Sequence, residues 1–498
     1  MDIKLNLLDR AIGYVSPAAA VKRVARRAMM AELQRAYAAA DRGSRFRNGR
    51  QIRSTSADTE IAASGQLLRD RMRALVRDNP LAANAVGKLV THAVGDGIAP
   101  VFKDVRVKDL FAEWAKRADF YGVQALAVRE MIEGGDGLVI PEVMPLGSAK
   151  VPLRLQVLEA DQIDSRKDAS FGNASQNAIQ GVEVAGGRAT GYWLFEQHPG
   201  SKLLGGMGSL KSNLHPASRV AHVFEKQRTQ VRGVPWGTPA INNLDELEEY
   251  RVAERMRKRL EACLVGIMTG GDADDAVGLP LATGQEPGIY DVYGQRVERF
   301  APGMFYNAVG GRDVKFTQPA ATGDFATYVV SEEHAIAAGF RMPPFILTGR
   351  LDQVNYSSSK VGLEVFKREI SQLQWLTIIP MLCEPMIRWF LDAAYLAGAI
   401  DSPDVAYDWV PPRFYSADPM KDLNAQKGEV RAGFKSWSAA VAERGEDPDA
   451  TAAQLAADNK RFDLLGLKLD VDGRVMSSAG QLQTQPATPA DTTQDNQP

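Results

Sequence analysis

Residues 323–340 read GDFATYVVSEEHAIAAGF, and the chain goes on RMPPF at 341–345, ILTGRLDQVNY at 346–356 and SSSKVGLEVFKREISQLQWLTIIPMLCEPMIRWFLDAAYLAGA at 357–399. The first part has helical spacing and stops before Met342-Pro343-Pro344, because a proline removes a donor and pushes its predecessor out of the helical region. A short polar loop follows. The serines at 357–359 are expected to cap a second helix, whose first turn has unpaired amides. Val361, Glu364, Val365, Arg368 and Glu369 then fall on successive turns. Pro380 and Pro385 lie inside this run, so it is expected to kink. A helix, a tight polar loop and a long kinked helix suit a chain that places a loop at the end of a rigid support.

Working outward, 498 residues allow roughly two to four domains. Hydrophobic content of 45% and charge of 24% are ordinary for a globular protein. A net charge of −2 argues against a protein that binds nucleic acid over its whole surface. Cys263 and Cys383 are far apart, with neither a disulfide framework nor zinc spacing. Charged residues interrupt every apolar run of membrane-spanning length, and the first ten residues lack a signal-peptide core. A cytoplasm is the expected place of synthesis.

In chain order, residues 1–60 form a basic arm, with Arg45-Phe46-Arg47-Asn48-Gly49-Arg50 mixing arginine and an aromatic. Contact with phosphate or an acidic partner and a merely solvated arm are equally good readings. From Ser64 a helix carries a stripe of Leu67, Leu68, Met72, Leu75 and Val76, with Arg69, Arg71, Arg73 and Arg77 between. Further helices are expected over 81–94, 111–122 and 123–133. Strands are expected at 138–143, 153–158, 181–184, 189–195 and 219–224, and loops at 173–177 and 200–213. Thr238-Pro239 opens a helix whose apolar face is Ile241, Leu244, Leu247, Met256, Leu260, Cys263 and Leu264. A segment of short strands, 270–320, separates it from the helix at 324. Helices at 418–432 and 449–465 follow, and a Ser, Gln, Thr and Pro-rich tail from Met476 cannot bury a core.

No constellation of catalytic groups is apparent. Ser357-Ser358-Ser359-Lys360 matches a Ser-x-x-Lys nucleophile pattern, but no Lys-Thr-Gly or Ser-Asp-Asn follows, so capping is the better reading. There is no phosphate-binding Gly-x-x-x-x-Gly-Lys-Ser/Thr. The five histidines fall in different elements, which gives no metal site, and no cofactor is expected. Asp245, Glu246, Glu248 and Glu249 read as a solvated helix face. Gly95-Asp96-Gly97 and Gly134-Gly135-Asp136-Gly137 read as turns with positive φ. Trp375 and Trp389 are expected in packed interfaces.

Several short motifs stand in order along the chain. They are Arg73-Ala74-Leu75-Val76-Arg77-Asp78-Asn79-Pro80, Val94-Gly95-Asp96-Gly97-Ile98, Glu133-Gly134-Gly135-Asp136-Gly137 and Leu158-Glu159-Ala160-Asp161. Arg228-Thr229-Gln230-Val231-Arg232-Gly233-Val234-Pro235, Asn355-Tyr356-Ser357-Ser358, Trp409-Val410-Pro411-Pro412 and Asp418-Pro419 complete the series. Together they resemble the lambda-like family of tailed-bacteriophage portal proteins, over residues 65–465.

The resemblance implies an α+β portal fold. It has a mixed α/β wing, paired stem helices, a small α/β clip, a long kinked helix and a helical crown. The implied boundaries are arm 1–60, wing 61–237, stem helix 238–265, clip 266–322 and stem helix 323–341. Tunnel loop 342–356, kinked helix and wing return 357–416, crown 417–475 and a disordered tail 476–498 complete them. It implies a homo-oligomeric ring, usually a dodecamer, at one capsid vertex of the virion, assembled in the host cytoplasm. That ring would be a conduit for double-stranded DNA in packaging and ejection, and not an enzyme. The implied partners are the terminase large subunit, the major capsid protein, a head-tail adaptor and a scaffold protein, with no membrane. Arg350, Asp352, Gln353 and Asn355 would be the DNA-contacting residues of the tunnel loop. The mixed signs suit a duplex that must slide, since phosphate contacts carry no base information and a wholly basic collar would hold DNA tightly. The alternatives are a tail or baseplate ring without a DNA channel, or a metal-dependent nuclease.

Overall fold

The computed structural model describes residues 55–169, 177–201, 211–262, 266–270, 305–307, 311–316, 325–352, 355–412 and 419–467. The chain divides into two units, 1–56 and 57–498, and the second holds every described helix and strand. The basic arm thus lies outside the described residues up to 54, as do Cys263 and the tail from 476.

Helix α1 (Ala57–Asp78) begins seven residues before the expected Ser64, and most of its expected stripe faces the core, with Leu68 and Leu75 packed against it. Ile61, Met72 and Val76 are buried together with Arg69, while Leu67 is 62% exposed. The expected stripe therefore missed a buried arginine. Helix α2 (Pro80–Val94) starts where Asn79 Oδ1 accepts from the amides of Leu81 and Ala82 at 3.0 and 3.3 Å. Strand β1 (Ala99–Phe102) had no clear alternation in the sequence and was not expected. Helix α3 (Val105–Arg117) starts six residues before the expected Phe111, because the Asp104 carboxylate accepts from the amide of Arg106 at 2.8 Å. The next helix, α4 (Phe120–Gly134), follows a break at Asp119, so the two helices meet three residues earlier than expected.

Strands β2 (Gly137–Val143) and β3 (Leu153–Glu159) pair antiparallel, and β8 (Ala221–Val223) adds to the other edge of β2. A second sheet runs β4 (Ala178–Ile179), β5 (Val182–Ala185), β6 (Arg188–Phe195), β7 (Ser212–Pro216), all antiparallel. The expected loop at 200–213 therefore ends in a strand, which the alternation Leu214, Pro216 was too short to signal. Helix α5 (Ile241–Ala262) follows a turn of 3-10 helix at Thr238–Ala240. Strands β9 (Gly266–Gly270), β10 (Phe305–Asn307) and β11 (Gly311–Phe316) form a small mixed sheet, with β10 parallel and β11 antiparallel to β9.

Helix α6 (Phe325–Gly339) ends as expected, but the segment after it contains a short helix, α7 (Pro344–Thr348). Helix α8 (Tyr356–Leu373) runs into a widened, π-type stretch, Gln374–Cys383, and then α9 (Glu384–Leu396). Pro380 sits inside the widened stretch, where the loosened ladder tolerates its missing donor. Pro385 falls in the first turn of α9. Buried Gln374 donates to the carbonyl of Ala93 at 2.9 Å, tying the wide stretch to α2. Strand β12 (Tyr407–Val410) then pairs with β1, Ala99 opposite Val410. Three helices end the described chain: α10 (Pro419–Arg431), α11 (Trp437–Ala442) and α12 (Pro448–Leu465). The short α11 was not expected.

One apolar core joins α1–α4, β2 and β3 to α6 and to the whole run from α7 to α9. Phe390 of α9 lies among Phe111 and Trp114 of α3, with ring centroids 5.4 and 4.9 Å away. Truncating such a fully buried ring costs about 3–5 kcal/mol. Trp389 is buried in this core, as expected of a packed tryptophan, but Trp375 is 48% exposed. Ile241, Leu244 and Leu247 of α5 are buried, whereas Met256 on the same expected face is exposed. The fold is therefore a mixture of helices and small sheets around one main core.

Candidate functional site

The loop between α7 and α8 is held from three sides. Trp236 Nε1 donates to the carbonyl of Phe340 at 2.9 Å, which fixes the end of α6. Asn84 of α2 donates to the carbonyl of Leu347 at 2.6 Å, which fixes α7. Gly349 closes α7 in the left-handed region, φ 71°, where a side chain would be strained. At the far side Asn355 Oδ1 accepts from the amide of Ser358 at 2.8 Å. Asn355 is thus the cap of α8, where the spacing had favoured the serines, and its oxygen is committed to the helix.

Between these anchors Arg350 reaches Asp352. Its Nε and Nη2 donate to the two carboxylate oxygens at 3.3 and 3.1 Å. The side chains are 48% and 56% exposed. The hydrogen bond with Asp352 raises the Arg350 pKa, and the same bond lowers that of Asp352. Arg350 also lies 4.0 Å from Glu333 of α6, which is itself held by Arg251 of α5 at 2.7 Å. The loop charge is therefore linked to the helix pair beneath it. Gln353 lies outside the described residues. The structure brings Arg350 and Asp352 together, and sets Asn355 apart as a cap.

A second polar cluster was not found from the sequence, although its residues were quoted there as motifs. Asp136 is fully buried and accepts from Arg232 Nε at 2.8 Å, from His222 Nε2 at 2.9 Å and from the amide of Gly233. Arg232 spends its other nitrogens on the carbonyls of Gln180 and Ala160, at 3.2 and 3.0 Å. Next to it, Arg73 pairs with Asp161, Glu130 and Glu159, and Arg69 stands 3.4 Å from Asp161. Four separate motifs thus meet in one ionic cluster. Gly135 and Gly233 touch there: a Cβ on Gly233 would lie 1.9 Å from the Gly135 carbonyl oxygen. Close backbone approach, beyond the positive φ of Gly135, is what these glycines provide.

Burial works to raise the Asp136 pKa, but Arg232, the hydrogen bond from His222 and Arg69 outweigh it, and the group is held well below the usual carboxylate range. Burial lowers the His222 pKa against the pull of Asp136, so its ring is neutral and donates through Nε2. Burial pushes Glu130 up to about 7, although Arg73 opposes it. His198 comes to 3.6 Å from Glu159 and 3.9 Å from Asp161, a trio whose spacing would admit a cation. Arg73 already lies between those two carboxylates, so their charge is matched by the guanidinium. The cluster has the character of a structural ionic lock, joining α1, α4, β3 and the chain before α5.

The protein is thus of mixed α/β class, with a buried ionic lock in one part and an anchored, charge-paired loop at the end of a helix pair. The model of the family described as "Phage portal protein, lambda family" matches residues 43–374. The chain belongs to that family. A "Probable portal protein" of Halomonas phage phiHAP-1 is 24% identical over 434 residues, covering 84% of this chain and 82% of the relative. Among solved structures, the neck of an empty gene transfer agent particle, computed with C6 symmetry, aligns with a TM-score of 0.42 at 16% identity. It covers 80% of this chain and 96% of that one. The neck of the native particle, computed with C12 symmetry, gives 0.40 at 15%, covering 78% and 93%. Among the described residues no helix is long and apolar enough to cross a membrane.

Proposed function

We propose that copies of this chain form a closed ring at one capsid vertex, through which double-stranded DNA is packaged and ejected. The family match over residues 43–374 is the observation that carries this reading. In this scheme residues 61–237 and the return through β12 are the wing. Helices α5 and α6 are the paired stem, residues 266–322 the clip, 342–356 the tunnel loop and α10–α12 the crown. The clip docks the terminase large subunit and later the head-tail adaptor. The wing meets the major capsid protein, and a scaffold protein meets the ring during assembly in the host cytoplasm. No catalytic step is assigned to the chain.

The loop suits a moving duplex. Arg350 is already paired with Asp352, so it exchanges one anionic partner for another when phosphate passes. A contact of that kind guides without gripping. Arg350 and Asp352 face the channel in this scheme, Gln353 follows them in the sequence as a further DNA-contacting residue, and Asn355 holds the loop's end. The test is electron microscopy of the purified full chain. A closed ring is expected, with a central channel wider than the roughly 20 Å of a duplex, scaled from its groove dimensions. A monomer at micromolar concentration, or a ring with a closed centre, would overturn the reading.

A further inference from the structure

Helices α9, α10, α11 and α12 all close in one way. A glycine in the left-handed region lies just beyond the last turn: Gly398 at φ 71°, Gly433 at 76°, Gly445 at 77° and Gly466 at 64°. Its amide donates three residues back and the next amide five residues back, as from Gly398 to Tyr395 and from Ala399 to Ala394. Helix α6 closes with the same pair of bonds, Arg341 to Ala338 and Met342 to Ala337, both at 3.0 Å. Here the left-handed residue is Arg341, φ 56°. A side chain at that place carries a strain that glycine would avoid, and such strain persists only where the surroundings offset it.

The offset is visible. Arg341 Nη1 and Nη2 donate to the two carboxylate oxygens of Glu225 at 2.6 and 2.7 Å, a bidentate fork. The guanidinium lies 4.2 Å from the ring centre of Trp236. Trp236 is buried in the main core, and its amide donates to the Ile132 carbonyl at 2.9 Å. Glycine would serve the turn, and lysine would keep the charge, but neither has the flat fork that grips and stacks at once. Past Arg341 the chain has little freedom, because Pro343 holds φ at −61° and Pro344 opens α7. Turning is thus concentrated at Arg341 and Met342. Beside them an open, mainly apolar cleft of about 550 Å³, lined from α6, α7 and α8, leaves α7 room to swing.

We infer that Arg341 is a positioning residue. Its clamp on Glu225 and Trp236 sets the direction in which the chain leaves α6, and so where Arg350 and Asp352 stand. The consequence for DNA rests on the ring reading, and the clamp itself does not.

Hydrogen–deuterium exchange on the full chain tests the clamp through Arg341→Gly, which relieves the backbone and removes the side chain. If the residue only ended a helix, the α7 amides of Ile346, Leu347 and Gly349 would exchange as before or more slowly. They are expected to exchange at least tenfold faster. Glu225→Gln should give the same change and Arg341→Lys a smaller one. The double variant Arg341→Gly with Glu225→Gln should go no further than either alone, since both break one contact. In filled heads Arg341→Gly should release DNA on warming at least threefold faster than the parent chain. Unchanged or slower exchange at α7, effects that multiply in the double variant, or DNA release as in the parent would each overturn the inference and leave the ring reading standing. Failure to form rings, with α7 exchange still faster in Arg341→Gly, would overturn the ring reading and leave the clamp.

Discussion

Two arginine–aspartate pairs in this protein have the same chemistry and opposite surroundings. Arg232 and Asp136 are 2% and 0% exposed, and their hydrogen bonds run to His222 of β8, the carbonyls of Ala160 and Gln180 and the Gly233 amide. Arg350 and Asp352 are about half exposed, two residues apart in one loop. Burial makes the first pair irreplaceable, since removing one charge strands the other in a medium that cannot solvate it. Exposure makes the second pair exchangeable, since water can take either partner's place and phosphate can take that of Asp352. In the proposed channel the first pair would hold the frame and the second would give way to passing phosphate.

The largest effect expected from breaking the contrast is at Asp136. Asp136→Ala leaves Arg232 buried without its counter-charge and should cost about 3–5 kcal/mol. Denaturant unfolding of the full chain measures it, and a loss below about 1 kcal/mol, the scale of an exposed pair, would mean that water reaches the cluster.

The pH response comes next, with opposite signs from two neighbours. His222 has a lowered folded pKa, so its contribution is complete above about 6.5, the unfolded value, and is lost as pH falls through the folded value. Glu130 is raised to about 7, so its contribution is complete below the ordinary carboxylate pKa and is lost as pH rises through 7. In Glu130→Gln the thermal midpoint should therefore fall between pH 7 and pH 5. In His222→Gln it should rise over the same interval, and equal slopes in both variants would remove the assignment. Below pH 4 the depressed Asp136 dominates, and stability falls in every variant that keeps it.

The sequence disclosed most helices and much of the sheet, because apolar spacing is local. It disclosed the loop between two rigid supports for the same reason. The lock stayed hidden, since its parts are 63 residues apart from Arg73 to Asp136 and 96 from Asp136 to Arg232, and no periodicity connects them. Arg69 stood in the sequence only as one of four arginines between the apolar positions, and the position of β3 and the turn after it makes its surroundings an interior. The motifs at 133–137 and 228–235 were visible as words, but their contact at Gly135 and Gly233 was not. In the loop the sequence showed Arg350 and Asp352 as opposite charges set to contact DNA, and their bond to each other emerged only from the fold. The Asn355 cap competed with three serines that looked equally able to supply it.

A smaller effect is expected at that cap. Asn355→Ala should cost about 1 kcal/mol, read locally as faster amide exchange at residues 357–360 with the body unchanged. Unchanged exchange there would return the capping role to the serines.

The smallest effect on stability, and the most direct test of the DNA-guiding role, belongs to the loop itself. Leu351 is exposed between Arg350 and Asp352, and Leu146 is an exposed control in the turn between β2 and β3. A cysteine at either place, Leu351→Cys or Leu146→Cys, carries a photoactivated DNA cross-linker in filled heads. The unfolding midpoint should not move in either variant. DNA cross-links are expected from position 351 and none from 146, with the yield at 351 reduced when Arg350→Ala is added. No cross-link from 351, or equal yields from both positions, would contradict a guiding loop.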